Sequence, residues 1–312
     1  MPVRWGALAR GLLVFEAIEL AGYVLLAVVF MTVGGWGVGA TLALVIAVAL
    51  GWRIVFTGAT YTIAWLYRSP TPPEFRRSMP ALVPHFFREA ASIAAVYGDL
   101  QPLEGLVMGD PRPPGRAGPR LPVLLVHGYV CNRALWWAAA RALRKRGETV
   151  WAVTLEPVYG SIDDWVTPLA VRIDELLTAT GAAQVVIVAG SMGGLAARAY
   201  LREAGGAKVA RLVTLGTPHH GSVHARLGAG RNAREMEPGS QWLAALAVSE
   251  AKGFTVPFTS VYSHHDNFVA PQTSGAHPAA RNVALAGVGH LTLAFSAEVL
   301  RIVVAEIDDA SA

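Results

Sequence analysis

The sequence predicts an α/β protein, with a mostly parallel sheet covered by helices on both faces and two long apolar helices in front of it. Two observations predict this. After residue 120, short apolar runs alternate with segments of helical periodicity, which is typical of parallel strands joined by helices. Before residue 68, two stretches are almost wholly apolar, and each reaches the roughly 20 residues that cross a bilayer.

The N-terminal region divides at a glycine-rich turn, residues 34–37, which separates apolar residues 11–32 from apolar residues 38–67. We therefore predict a transmembrane helical hairpin within residues 1–68. Arg53 is the position at which the second stretch could instead divide into two segments. Basic residues flank both ends of the hairpin and none lies in its turn, so the positive-inside rule favours a cytoplasmic placement of the large domain.

The apolar stretches carry three charged residues, Glu16, Glu19 and Arg53. Charges at membrane depth are costly and usually face protein or water. One interpretation is a polar site inside the membrane. The other is that the glutamates lie near the lipid headgroups or pair with Arg53, and the sequence favours this second interpretation.

Residues 69–120 are predicted to be a linker or juxtamembrane segment, ending in a flexible boundary at residues 111–119, which are rich in Pro, Gly and Arg. The C-terminal domain is then residues 121–312. Its strands are predicted at residues 121–126, 149–155, 184–189, 209–215, 258–261 and 282–286. Its helices are predicted at residues 134–146, 162–178, 195–203 and 293–307.

The most informative motif is AGSMGG, residues 189–194, which lies where a predicted strand turns into a predicted helix. A nucleophilic serine requires this context, because a tight strand-to-helix turn projects its hydroxyl from the sheet edge. Small residues two positions before and after the serine prevent clashes in that turn. We therefore predict that Ser191 is a nucleophile.

A second motif, His127-Gly128-Tyr129, follows the first strand of the C-terminal domain. Acyl transfer needs two backbone N–H groups that point at the developing oxyanion. We expect these donors to be the N–H groups of Tyr129 and Met192, with Gly128 allowing the loop to approach closely.

The base and its acid should follow the nucleophile in the order serine, carboxylate, histidine. Asp266 and His290 each come directly after a predicted strand, at the sheet edge where open α/β sheets build their sites. We predict that His290 moves the proton and that Asp266 orients its ring. The competing residues are the histidines and acids His264, His265, His277, Glu235 and Glu237.

The remaining polar motif is GTPHHG, residues 216–221, in which we expect His219 and His220 to shape the substrate-pocket loop and not to bind a metal. Cys131, the only cysteine, is interpreted as a buried small hydrophobic residue. We expect no metal and no cofactor. The net charge of +4 comes from scattered basic residues, which argues against a nucleic-acid partner.

Together these motifs resemble the bacterial lipase/esterase branch of the α/β-hydrolase superfamily over residues 121–307. The resemblance implies an α/β-hydrolase fold, a Ser191-Asp266-His290 triad and a cap over the acyl pocket, here at about residues 221–253. It implies a carboxylic-ester hydrolase acting on a lipid or another apolar ester. With the hairpin, it suggests location at a bacterial inner membrane.

Two alternatives remain at this point. The same triad would serve an acyltransferase that uses an alcohol in place of water. The charged residues of the hairpin would also fit a membrane transport or scaffold protein whose hydrolase-like domain is not catalytic. The sequence does not fix the oligomeric state.

Overall fold

A computed structural model of the chain describes residues 6–109, 120–251, 253–254 and 256–312. Its strands are β1 (Val123–Val126), β2 (Val150–Val153), β3 (Val185–Gly190), β4 (Val209–Leu215), β5 (Phe258–Ser263) and β6 (Arg281–Leu285). They form one sheet in the order β2-β1-β3-β4-β5-β6, and every neighbouring pair is parallel. The predicted mostly parallel sheet is confirmed.

The α-helices of the described residues are α1 (Ala7–Thr32), α2 (Val38–Leu66), α3 (Met79–Ala94), α4 (Glu104–Val107), α5 (Trp137–Lys145), α6 (Val166–Thr180), α7 (Met192–Ala204), α8 (Arg231–Glu235), α9 (Gln241–Glu250) and α10 (Ala297–Ser311). Strand residues alternate between two apolar cores, as the pleat requires. Leu125 packs on the face that α5 and α10 cover, whereas Leu124 packs on the face that α6 and α7 cover. Helices therefore cover both faces of the sheet, as predicted.

Helices α1 and α2 form an N-terminal hairpin (residues 7–66), and by length and composition each is long and apolar enough to cross a membrane. Helix α2 runs without a break through Arg53. The second apolar stretch is therefore one helix, and the alternative in which Arg53 divides it is wrong.

The segment that was predicted to be a linker contains α3, a π-helical turn at residues 95–100 and α4, all packed on the sheet domain. Glu104 of α4 forms a buried ion pair with Arg133, at 2.7 Å, and Gln101 accepts a hydrogen bond from the Asn132 N–H. These contacts place Gln101 and α4 next to the loop that follows β1. The flexible boundary predicted at residues 111–119 lies outside the described residues.

Candidate active site

Ser191 stands in the tight turn between β3 and α7, at the carboxyl edge of the sheet. Its φ of +51° is rare for a residue with a side chain, and such strain is typical of functional turns. The turn is held from both sides, because the Ser191 N–H donates to Leu215 and its carbonyl accepts from the Thr217 hydroxyl, each at 2.8 Å. The local geometry is that of a nucleophile elbow.

The small residues around Ser191 have a steric cause. A Cβ on Gly193 would lie 2.8 Å from the carbonyl oxygen of Val126 and closer still to that of His127. A Cβ on Gly190 would lie 3.2 Å from the Trp136 ring. Glycine at these positions therefore lets the start of α7 pack directly against the end of β1. This packing places Ser191 beside the loop that follows β1.

Asp266 and His290 lie in the loops after β5 and β6, and the Asp266 carboxylate is 2.8 Å from His290 Nδ1. The other Asp266 oxygen accepts from the N–H groups of Phe268 and Val269, at 2.8 Å each. Both residues are almost fully buried, so the carboxylate is fixed before any substrate arrives. This pairing leaves Nε2 of His290 as the ring nitrogen available for proton transfer.

Burial by itself lowers the pKa of His290, but the charge of Asp266 and its hydrogen bond outweigh that effect. The charge of Glu89 adds to it, and the net result is a pKa above the usual value for histidine. A base with a raised pKa accepts a proton readily and is protonated in solution at a higher pH than a free imidazole.

Ser191 and His290 both line one cavity of about 630 Å³, within the usual size range of ligand sites. Among the described residues, no hydrogen bond joins the Ser191 hydroxyl to the imidazole ring. Bonds of this kind are often long in a free enzyme and shorten when substrate binds. The structure thus brings the three predicted triad residues together, with the Asp266–His290 pair already formed.

The loop after β1 lies directly beside Ser191. A Cβ on Gly128 would be 2.7 Å from the Ser191 Cβ, so only glycine permits this approach. The loop is oriented by His127, whose Nε2 accepts from the Leu155 N–H and whose Nδ1 lies 2.9 Å from the Gly128 carbonyl. Because a trans peptide points its C=O and N–H in opposite directions, this bond turns the Tyr129 N–H away from His127.

The second predicted oxyanion donor, Met192, is the first residue of α7 and is buried. The first N–H groups of a helix have no acceptor within the helix, so they are available to a negatively charged oxygen. The Tyr129 side chain has a separate role. Its hydroxyl donates to the Ala229 carbonyl at 2.7 Å and accepts from the Ala229 N–H at 2.8 Å, which ties this loop to the predicted cap region.

His219 and His220 do not line the cavity, whereas Pro218 before them does. His219 is buried, with Nδ1 3.2 Å from Arg198 and Nε2 3.1 Å from the Thr214 hydroxyl. Arg198 in turn forms two hydrogen bonds to Glu250, at 2.8 and 2.6 Å. Burial, followed by the charge of Arg198, holds the pKa of His219 well below its usual value. These contacts suit a neutral histidine that braces the loop.

Cys131 is buried, and burial raises the pKa of its thiol to about 12, which favours the interpretation as a small hydrophobic residue over that of a nucleophile.

Among the described residues, no group of three or more His, Cys, Asp or Glu side chains is arranged to hold a metal ion. Of the competing acids, Glu235 accepts a hydrogen bond from the Ser161 hydroxyl at 2.7 Å.

Three residues that contact the site were not predicted from the sequence: Glu89, Asn267 and Thr60. Glu89 of α3 accepts from the N–H groups of Leu291 and Thr292, directly after His290. Asn267 accepts from the His290 N–H at 3.0 Å and donates to the Thr60 hydroxyl of α2 at 2.9 Å. Only the position of Asn267 beside Asp266 offered a signal, because the other two residues lie some 200 positions away along the chain.

The fold and these contacts define the class of protein, and comparison with known proteins agrees. Residues 122–238 match the family model described as the alpha/beta hydrolase fold. The chain is also similar to curated triacylglycerol lipases from Pseudarthrobacter phenanthrenivorans and Burkholderia plantarii, each 32% identical over 119 residues. These alignments cover 35% of this chain and 36% and 32% of the two lipases, so the chain matches about a third of their length.

Solved structures share the fold at low sequence identity. The mature lipase BlEst2 of Bacillus licheniformis has a TM-score of 0.56 at 17% identity, over 62% of this chain and 94% of that one. Lipase B of Aspergillus fumigatus has a TM-score of 0.52 at 16% identity, over 61% and 52%. The chain therefore has the α/β-hydrolase fold, which the sequence motifs indicated, and residues 122–238 match the family model for that fold.

Proposed function

We propose that this protein is a membrane-anchored serine hydrolase that cleaves carboxylic esters of lipids or other apolar acyl compounds. The observation that carries the proposal is the convergence of Ser191, at its strained turn, and the Asp266–His290 pair on one mainly apolar cavity. A Gly-rich turn whose only role is to pack a helix on a strand does not require a buried, carboxylate-bound histidine in the same cavity.

In the reaction, the Ser191 Oγ attacks the ester carbonyl carbon while His290 Nε2 takes the hydroxyl proton. The carbonyl oxygen becomes an oxyanion, which the N–H groups of Tyr129 and Met192 stabilise. When the tetrahedral intermediate collapses, His290 returns the proton to the departing alcohol. Water, deprotonated by the same imidazole, then attacks the acyl-enzyme, releases the acid and restores the Ser191 hydroxyl.

The choice of substrate rests on the cavity and on the relatives. Its walls are formed mainly by aliphatic and aromatic side chains, which suit an acyl chain better than a polar group. The two relatives, of which this chain matches about a third of the length, are named triacylglycerol lipases. The residues of the predicted cap that line the cavity are Ser222, His224, Ala225, Leu227, Gly228, Ala233 and Met236.

Membrane anchoring rests on the two long apolar helices at the N-terminus. Their outer faces carry large apolar side chains that are exposed to solvent, among them Ile18, Leu25 and Ile46. Large apolar patches of this kind mark surfaces that contact lipid or protein. We place the chain at a bacterial inner membrane, with the hydrolase domain on the cytoplasmic side because basic residues flank both ends of the hairpin.

The test is turnover of a short-chain aryl ester by the detergent-solubilised full chain and its Ser191→Ala variant. We expect the variant to lose at least about 10⁴-fold in kcat, as removal of a catalytic serine does. Ser249→Ala, on the exposed face of α9, is the matched control and should keep wild-type turnover. Undiminished turnover by Ser191→Ala would contradict the proposal.

A further inference from the structure

The N-terminal hairpin has two halves with different surroundings. In the half nearest the domain, the Ala7 N–H donates to Glu156, the Phe56 ring lies 6.4 Å from that of Phe268, and Thr60 bonds to Asn267. In the distal half, no charged residue occurs between Glu19 and Arg53. Large apolar side chains are exposed there, including Leu20, Val24, Leu25, Val28, Leu42, Ile46 and Leu50.

The two halves meet at a polar cluster. Arg53 forms an ion pair with Glu19 at 2.9 Å, and the Trp52 indole N–H donates to the same carboxylate at 2.8 Å. Tyr23 bonds to Glu19 as well. Trp, Tyr and Arg are the residues that membrane proteins place at the headgroup level. At 1.5 Å per residue, the uncharged part of each helix extends about 20 Å beyond this cluster.

The cavity that holds Ser191 and His290 is built partly from the near half of this hairpin. Glu16, Trp52 and Arg53, at the level of the polar cluster, also lie in its wall. The hairpin's apolar contribution to the wall is Leu12, Phe15, Phe56, Ala59 and Ile63. The hairpin side chains therefore form part of the wall of the cavity in which the substrate of the proposed reaction lies.

We propose that the near half of the hairpin is the acyl-binding wall of the active site, and that its occupant is the acyl chain of a bilayer ester lipid. This inference rests on the proposed ester hydrolysis. The distal half lies in the bilayer, the Glu19–Arg53 pair lies at the headgroups, and the chain of the lipid passes from the adjacent leaflet along Phe15 and Phe56 towards Ser191. Such a path keeps the acyl chain out of water throughout.

Ala59→Phe tests this wall, because it places a ring inside the cavity from helix α2. Ala47→Phe is the matched control, since Ala47 is exposed in the distal half of the same helix and does not line the cavity. We expect Ala59→Phe to lower the ratio of kcat/KM for a long-chain ester to that for a butanoate ester by about tenfold, equivalent to the loss of two buried methylene groups. Ala47→Phe should leave the ratio unchanged, and an unchanged ratio in Ala59→Phe would overturn the inference.

A second measurement does not depend on turnover. The Ser191→Ala chain in detergent is exposed to a long-chain fatty acid carrying a diazirine near its methyl end, and crosslinked residues are mapped by mass spectrometry. We expect crosslinks at Phe15, Phe56 or Ile63, and fewer of them when Ala59→Phe is added. Crosslinks only at outward residues such as Ile46, or none at all, would overturn the inference.

The two proposals fail differently. Cavity crosslinks in a protein that hydrolyses no ester would support the acyl-binding wall and contradict the proposed hydrolysis. Ester turnover that requires Ser191, with crosslinks confined to the outer face of the hairpin, would support the hydrolysis and contradict the wall.

Discussion

The Glu89 carboxylate, on helix α3, accepts a hydrogen bond at 2.9 Å from the Leu291 N–H, directly after His290, the proposed base. It also accepts from the Thr292 N–H and hydroxyl, at 2.9 and 2.7 Å. Glu89 is fully buried, and burial raises its pKa while these donors favour its charged form. Helix α3 therefore positions the loop that carries His290.

We predict that Glu89→Gln lowers kcat by about 10- to 100-fold, because the loop carrying His290 loses its anchor and the base moves off its position. The charge of Glu89 also raises the pKa of His290. Its removal should therefore shift the acidic limb of the kcat/KM profile to lower pH. The measurement is a pH profile of ester hydrolysis between pH 4 and 9.

Ser92→Ala is the control for Glu89→Gln. Ser92 lies on the same helix and its hydroxyl is 3.2 Å from that of Thr292, but it carries no charge. This variant should leave the acidic limb in place. If Glu89→Gln keeps the wild-type kcat and pH profile, Glu89 has no positioning role.

Gly128→Ala should reduce kcat by about 10² to 10³, the loss that follows removal of one oxyanion donor. The new methyl group would meet the Ser191 Cβ at 2.7 Å, which forces the loop and its Tyr129 N–H away from the reacting oxygen. Gly51→Ala is the matched control, because a Cβ at Gly51 meets nothing within 4 Å. Equal kcat values for the two variants would show that the loop after β1 has no part in the reaction.

We predict that the protonation of His127 lowers the free energy of unfolding in acid. Burial lowers the pKa of His127 to about 4, whereas an unfolded histidine titrates near 6.5. The unfolded state therefore binds a proton first as the pH falls. The stability due to neutral His127 is complete above about pH 6.5 and decreases by about 3 kcal/mol as the pH falls to about 4.

In His127→Gln, the uncharged side chain no longer titrates, so the free energy of unfolding should fall less between pH 7 and pH 4 than in the wild type. Urea denaturation of both proteins in detergent measures the difference. His219 is also buried with a lowered pKa, but it is present in both proteins and therefore contributes equally to the pH dependence of their stability. An identical loss in the two proteins would contradict the neutral, buried state assigned to His127.

The strand pattern and the elbow were accessible from the sequence because they depend on local features. Apolar runs between turns give β1 to β6 within a few residues, and Gly190 and Gly193 mark a turn too crowded for side chains. The proposed acid and base, Asp266 and His290, were chosen from chain order and from their places after β5 and β6. Each of these features depends on a short segment of the chain or on the order of such segments.

The hairpin's place in the cavity and the role of Glu89 were not accessible in the same way. Both depend on contacts between residues far apart in the chain, such as Thr60 with Asn267 and Glu89 with Leu291. In the sequence, Glu89 stands in a stretch of mixed polarity that reads equally well as a surface helix. Only packing reveals that its carboxylate is buried against the loop that carries His290.

The central claim is that Ser191 is an activated nucleophile, and reaction with a fluorophosphonate probe tests it most directly. The probe reacts with a serine only if a neighbouring base accepts its proton. We predict one covalent adduct, mapped by mass spectrometry to Ser191, and no adduct in His290→Ala. An unlabelled wild-type chain, or labelling of Ser191 that persists at the same rate in His290→Ala, would contradict the account.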